Sequence, residues 1–303
     1  MAERLRVLLV GGTSGVLGGG IRAELASRHQ LVSFHRHPDP GESPGIEFAP
    51  GDVTDPSTFP TALRDIDAVV NLVWYRAPGP DSLFRRTVEG LRELARQAAR
   101  QGIRRWVQIS LPPAPPRLER SVPYLFRRRE LEAALLNEPM DVVRIQPSAV
   151  FAHRDRLVQV MLQLMERHHR FPLWGDGEYH VSPIHTRDVA WLVGEALAGR
   201  LPPLTLAGGP DRYTYRQLVE MLFAVAGLPP RWVRLSPGLA RRLVQALNAV
   251  GYHALYTYEL DWLMSDLLGL PEPPHPGRSF ARLEEFLRSR PRAELGTPAP
   301  PSR

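Results

Sequence analysis

The residues best placed to do chemistry are Gly12-Thr13-Ser14-Gly15-Val16-Leu17-Gly18, between the apolar run Leu5–Val10 and a helix-like stretch from Val16 to Arg28. A strand, a glycine turn and a helix in that order form an anion site. The first glycine permits a tight turn, the second lets the backbone approach a pyrophosphate, and the third lets helix and strand pack closely. The anion then sits at the helix N-terminus, where unpaired N–H groups and the helix dipole favour negative charge. These seven residues predict a dinucleotide site.

Two further positions suit such a ligand. Gly51-Asp52-Val53-Thr54-Asp55 follows an apolar run, so Asp52 can accept a hydrogen bond from an adenine amino group with Val53 beside it. Helix capping is the alternative for this segment, and it suits Asp55, before Pro56, better than Asp52. At the end of the second strand, a carboxylate would bind a ribose 2′-hydroxyl and an arginine a 2′-phosphate. Ser33-Phe34-His35-Arg36-His37 offers Arg36, which favours NADP(H) over NAD(H); Asp39 is the residue that could still serve NAD(H).

Composition removes several chemistries. Among 303 residues there is no cysteine, hence no disulfide, thiolate nucleophile or thiolate metal site. There is also no lysine, so all 38 basic residues are arginine and neither a Schiff base nor a lysine proton relay is available. The net charge of +6 is spread along the chain without a nucleic-acid-binding motif, so it reads as a solvated surface and nucleic acid is not an expected partner. No apolar run is long enough to span a bilayer and no signal peptide is recognisable, so a cytoplasmic protein without a membrane partner is expected. His168-His169 are adjacent, and His180 and His185 differ in strand parity, so no metal is expected. Leu157, Val160, Met161, Leu164 and Met165 recur at helical spacing and read as packing.

The elements that must position these residues alternate in the first half. Strands are expected at Leu5–Val10, Leu31–His35, Ile46–Ala49, Ala68–Val73, Arg105–Ser110 and Val142–Ile145, with helices near Val16–Arg28, Ser57–Arg64, Ser82–Gln101 and Tyr124–Asn137. Alternating βα units of this kind give an α/β fold, a Rossmann doubly wound parallel sheet. In the second half, helices are expected at Asp155–Arg167, Thr186–Ala198, Thr214–Ala226, Pro237–Val250 and Leu255–Leu268. A short strand is expected at Leu204–Ala207, and a hairpin over Phe171–Ile184 turned by Gly175-Asp176-Gly177. The expected organisation is a dinucleotide-binding domain over 1–153, a mixed α/β substrate lobe over 154–290 with segments returning to the first domain, and a disordered tail over 291–303.

With the glycine loop, Gly51–Asp55, Thr87-Val88-Glu89-Gly90, Arg144–Phe151 and Pro183–Ala190 in this order, the chain resembles the short-chain dehydrogenase/reductase superfamily. It is most similar to the extended and atypical branches related to NAD-dependent epimerases and dehydratases. Pro172–Gly177 and Gly208-Gly209-Pro210 look most like an atypical subgroup that includes the accessory NAD(P)H-binding subunit of respiratory complex I. The resemblance covers roughly residues 5 to 225.

That family's reaction centre is a Ser, a Tyr and a Lys assisted by an Asn, and the resemblance places Ser110 and Tyr124 at the first two. Arg128 stands where Lys is expected, and Thr87 where the Asn is expected. An arginine supplies positive charge and ribose hydrogen bonds but cannot relay a proton. Without the resemblance, Tyr124 would read as a helix-face tyrosine and Ser110 as a strand-end residue that closes a turn. Asn71, in the fourth strand, joins the expected cofactor cradle, as does Arg128. The resemblance implies hydride transfer to or from a small carbonyl or hydroxyl compound bound in the cleft of the C-terminal lobe, with Tyr124 as general acid or base. The departures at Thr87 and Arg128 keep a second expectation open, a non-catalytic NADP(H)-binding redox sensor or structural subunit. Helix Ser82–Gln101 occupies a segment that the resembling family uses for dimerisation, which leaves room for a homodimer or a protein partner.

Overall fold

The computed structural model describes residues 4–11, 16–38, 45–73, 78–152, 156–253, 255–275 and 277–289. The expected tail, most of the glycine loop and Asp39 lie outside them. In chain order the first elements are β1 (Arg6–Val10), α1 (Val16–Ala26), β2 (Gln30–His35), β3 (Glu47–Pro50), α2 (Phe59–Ala62), β4 (Ala68–Asn71), α3 (Asp81–Arg100), β5 (Arg105–Ile109), α4 (Pro116–Ser121), α5 (Pro123–Leu135) and β6 (Asp141–Pro147). There follow β7 (Val150–Phe151), α6 (Arg156–His168), β8 (Phe171–Trp174), β9 (His180–Val181), β10 (Ile184–His185), α7 (Thr186–Leu197), β11 (Leu204–Ala207), β12 (Tyr213–Thr214), α8 (Tyr215–Ala226), β13 (Trp232–Leu235), α9 (Pro237–Ala249), α10 (Thr257–Leu263) and α11 (Leu283–Arg288).

The described residues form two compact units. One gathers the chain up to Leu111, then Glu119–Pro147 and Thr186–Thr205; the other holds Pro112–Leu118, Ser148–His185 and the chain from Leu206 on. The main sheet has the order β11-β6-β5-β4-β1-β2-β3. From β6 to β3 every pairing is parallel, which is the doubly wound order whose direction reverses between β1 and β4. Strands covered on both faces read as continuous apolar runs, and Val7, Leu8, Leu9 and Val10 are all buried.

One face of the sheet, with Leu8, Val10, Val32, Phe34, Val69 and Trp106, is packed by Phe59, Leu91, Leu94, Ala95 and Leu131 from α2, α3 and α5. The 20-residue α3 supplies this layer because its buried residues Phe84, Thr87, Val88, Leu91, Leu94, Ala95 and Ala98 recur at helical spacing. In the first unit, α7 packs closely on α1. A Cβ at Gly20 would stand 2.5 Å from Thr186 Oγ1, so a glycine is needed for the helices to approach.

The second unit has its own core of Met161, Met165, Phe171, Leu173, Val219, Leu222, Phe223, Val244 and Leu260. Helix α8 is fixed at both ends. Thr214 and Gln217 form a reciprocal capping box, and Gly227 takes φ +69° at the C-cap. The expected hairpin over Phe171–Ile184 is overturned. Gly175 and Gly177 do turn the chain, with φ of +62° and +75°, but β8 pairs in parallel with β13, β9 pairs antiparallel with β12, and β10 pairs with β7. The helix expected over Leu255–Leu268 is confined to Thr257–Leu263. Leu157 is exposed at the edge of α6, whereas Met161 and Met165 are core residues.

Candidate dinucleotide site

The carboxyl edge of the sheet gathers most of the expected site residues. Gly11 follows β1 with φ +70°, its N–H donates to the Phe34 carbonyl over 3.1 Å, and a Cβ there would meet Val73 Cγ2 at 2.9 Å. Gly12, Thr13, Ser14 and Gly15 lie outside the described residues; the backbone resumes in α1 at Val16, with Leu17 half-buried and Gly18 buried. The first turn of α1 carries no acidic side chain, so nothing on the helix neutralises its positive end. A left-handed glycine at the end of β1, a short connection into α1 and a switch in strand direction beside it fit a dinucleotide.

Arg36 is exposed one residue beyond β2. Asp52 is engaged locally, its Oδ1 accepting from Thr54 N at 2.8 Å and Thr54 Oγ1 at 2.9 Å. Asp55 caps the 3-10 turn Pro56–Thr58 by accepting from Ser57 N, the role its place before proline predicts. Val53 is pinned by α3: a Cβ on Gly90 would lie 1.6 Å from the Val53 carbonyl oxygen. Gly90 thus sets how closely the helix passes this loop.

At the ends of β4 and β5 a closed polar ring forms within the first unit. Asn71 is paired in register with Gln108; its Nδ2 donates to Gln108 Oε1 over 2.9 Å, and its Oδ1 accepts from Val73 N at 3.1 Å. Gln108 Nε2 donates to the Ile109 carbonyl at 2.7 Å. Arg128 closes the ring from α5, Nη1 donating to the Val73 carbonyl at 3.1 Å and Nη2 to the Ile109 carbonyl. Asn71, Gln108 and Arg128 are all buried, so these bonds replace water that burial removed.

Ser110 is fully buried and its Oγ donates to Glu132 Oε1. Arg129 Nη1 donates to both oxygens of Glu132 at 3.1 Å. Tyr124 is buried in the first turn of α5, its ring 5.5 Å from that of Phe84. It lines, with Val73, Phe84, Thr87, Arg127 and Arg128, a cavity of about 20 Å³, room for a water and no more. Thr87 Oγ1 donates to the Leu83 carbonyl of its own helix at 3.0 Å.

The structure therefore gathers Asn71, Ser110, Tyr124 and Arg128 around the ends of β4 and β5, and sets Arg36, Asp52 and Val53 at the ends of β2 and β3. Glu132 and Gln108 escape notice in the sequence. Their signal was spacing: Glu132 continues the four-residue step of Tyr124 and Arg128 along one helix face, and Gln108 shares a strand face with Ser110. Elsewhere, His180 Nδ1 lies 2.8 Å from Asp266 Oδ1 and the His185 ring packs against Phe151 and Phe286. No group of three His, Asp or Glu side chains placed for a metal occurs among the described residues.

A family model described as NAD(P)H-binding matches residues 12–195, which takes in the glycine loop, the polar ring and most of α7. The chain belongs to this NAD(P)H-binding family. It is 24% identical over 258 residues to the mitochondrial NADH dehydrogenase [ubiquinone] 1 alpha subcomplex subunit 9 of Arabidopsis thaliana, a match covering 78% of this chain and 62% of that protein. It shares its fold with the Bordetella bronchiseptica enzyme WbmG in complex with NAD, with a TM-score of 0.64 and 15% identity over 87% of this chain and 94% of the other. The Thermus thermophilus UDP-glucose 4-epimerase complex with NAD has a TM-score of 0.61 at 17% identity, covering 88% and 99% of the two chains. No helix of the described residues is long and apolar enough to cross a membrane.

Proposed function

We propose that this member of the family binds NADP(H) in preference to NAD(H) and acts as an oxidoreductase or epimerase-like enzyme on a small carbonyl or hydroxyl compound. The observation that carries the reading is Tyr124 one helical turn before Arg128, beside the ends of β4 and β5 in a family that binds nicotinamide dinucleotides. The bound dinucleotide supplies hydride donation or acceptance. Gly12–Gly18 hold its pyrophosphate, Asp52 and Val53 border the adenine, Asn71 shapes the edge, and Arg36 selects the 2′-phosphate. Tyr124 holds the proton at its phenol oxygen, with Arg128 one helical turn on. Arg128 is chiefly a positioning residue here, since it ties the α5 turn to two strand ends. Ser110 orients a substrate oxygen only after its hydroxyl leaves Glu132.

One observation favours a second reading, an NADP(H)-holding sensor or structural subunit without turnover. The hydroxyl of Ser110 and two nitrogens of Arg128 are engaged inside the protein, and the Arabidopsis relative is named as a subunit. Calorimetry with NADPH and NADH, followed by cofactor-dependent turnover on carbonyl and alcohol panels, separates the readings. Turnover abolished by Tyr124→Phe supports the enzyme, and tight binding without turnover the subunit. Failure to bind either dinucleotide overturns both. Arg36→Glu is expected to weaken NADPH binding at least tenfold with little change for NADH; equal effects on both would remove the assigned preference.

A further inference from the structure

Five of the nine exposed large hydrophobic side chains among the described residues fall between positions 233 and 252: Val233, Leu239, Leu243, Val250 and Tyr252. Helix α9 organises them. Ala240 and Val244 face the core of the second unit, and at about 100° per residue Leu239, Leu243, Ala246 and Val250 form a separate stripe alongside. Leu239 is 52% exposed and Val250 80%. Beyond the helix the chain turns at Gly251, φ +84°, and Asn248 Nδ2 donates to the Tyr252 and Leu255 carbonyls at 3.1 and 2.9 Å. That clasp keeps Val250 and Tyr252 in a fixed turn.

The chain that carries this stripe is basic. From Met221 to Tyr258 the sequence has no Asp or Glu, yet it carries Arg231, Arg234, Arg241 and Arg242. Arg241 pairs with Asp261 at 2.5 Å. Arg231, Arg234 and Arg242 are exposed and hold no ion pair among the described residues. Arg242 lies beside the stripe, and Arg234 stands two residues before the Ser236 cap of α9.

We propose that α9 and the turn after it dock on an anionic lipid bilayer surface, with Leu239, Leu243 and Val250 at the acyl boundary and the three arginines at headgroup phosphates. An interfacial helix needs an apolar stripe with basic residues near it; α9 has Arg242 beside its stripe, and the exposed Arg231 and Arg234 precede it in the chain. A second copy of the same face would set arginine against arginine. The expectation of no membrane partner came from the lack of a spanning segment, which a helix lying in the interface does not need.

The test is vesicle flotation of the full chain with phosphatidylcholine alone and with about 30% phosphatidylserine added. The unmodified protein is expected to float with the anionic vesicles only and to be released by salt. Leu239→Glu combined with Leu243→Glu is expected to lower partitioning at least thirtyfold while leaving the unfolding temperature unchanged, because both positions are exposed. Gln at positions 231, 234 and 242 is expected to lower it roughly a hundredfold at low salt. No flotation with anionic vesicles, or flotation unaffected by the two glutamates, overturns the proposal. So does a halving of the solution mass by the glutamates, which would assign the stripe to a second copy.

Discussion

Replacing Arg128 by Met asks whether its guanidinium is a clamp or a ligand group. The change keeps most of the apolar stem and removes every donor. The Val73 carbonyl loses the Arg128 hydrogen bond, whereas the Ile109 carbonyl keeps the Gln108 amide at 2.7 Å. A hydrogen bond from a charged donor contributes about 1.5–3 kcal/mol, and a buried carbonyl stripped of its partner costs about 1–3 kcal/mol. Relief of the guanidinium's own desolvation offsets part of this. The first unit is thus expected to lose about 2–4 kcal/mol, which at 1.4 kcal/mol per decade is roughly thirtyfold to several hundredfold in its opening equilibrium. The assay is native-state hydrogen exchange on the amides of β4 and β5, which isolates this unit from the other. Arg128→Lys, which keeps the charge and one reachable donor direction, should fall between Met and the parent. If Arg128→Met leaves those amides protected to within about 0.5 kcal/mol while dinucleotide affinity falls tenfold, the clamp reasoning is wrong and Arg128 belongs to the ligand.

Gly90→Ala drives a methyl group into the Val53 carbonyl, 1.6 Å away, and is expected to cost about 3 kcal/mol or more as α3 moves off the loop; a melting temperature within ~2 °C of the parent would show that the loop yields freely. Gly227→Ala places a Cβ on a left-handed C-cap, φ +69°, for an expected loss of about 1 kcal/mol in urea unfolding. His29 is held below its ordinary value of 6.5 by burial and by the Arg28 and Arg4 charges, and its Nδ1 accepts from Leu5 N at 3.3 Å. The unfolded chain takes up this proton first, so stability present above pH 6.5 should fall as the pH drops through the folded value. His29→Gln should flatten that slope in thermal melts between about pH 5 and 7, and an unchanged slope would place the titration elsewhere.

The sheet of the first unit was legible because parallel strands buried on both faces write their position as apolar runs. Leu5–Val10 and Arg105–Ser110 in the sequence became Arg6–Val10 and Arg105–Ile109 in the structure. The second unit was legible only where the signal is local. Gly227 announces the end of α8, but the two glycines after β8 say only that the chain turns. Its partner β13 lies some sixty residues on, and nothing near Phe171 encodes it. Helix α4 has six residues between prolines, too short for periodicity to show. At the site, it was the resemblance to the short-chain dehydrogenase/reductase superfamily that marked Ser110, Tyr124 and Arg128. That Ser110 meets Glu132, and that Arg128 meets two carbonyls, depends on how deeply α5 beds against the strand ends, which packing decides.

The first unit takes its last helix from Thr186–Leu197, which packs on α1 across Gly20, and Arg144 N–H donates to the Pro203 carbonyl at 2.9 Å. On the ribosome this has a consequence in time. When Pro147 has been made, β1 through β6 exist, but one side of α1 has nothing to rest on. The chain must then produce β7 to β10, which belong to the other unit, before the missing helix emerges. The dinucleotide unit is therefore completed out of order, by a segment made after the second unit has begun. A fragment ended at residue 147 would expose that face of α1 for good.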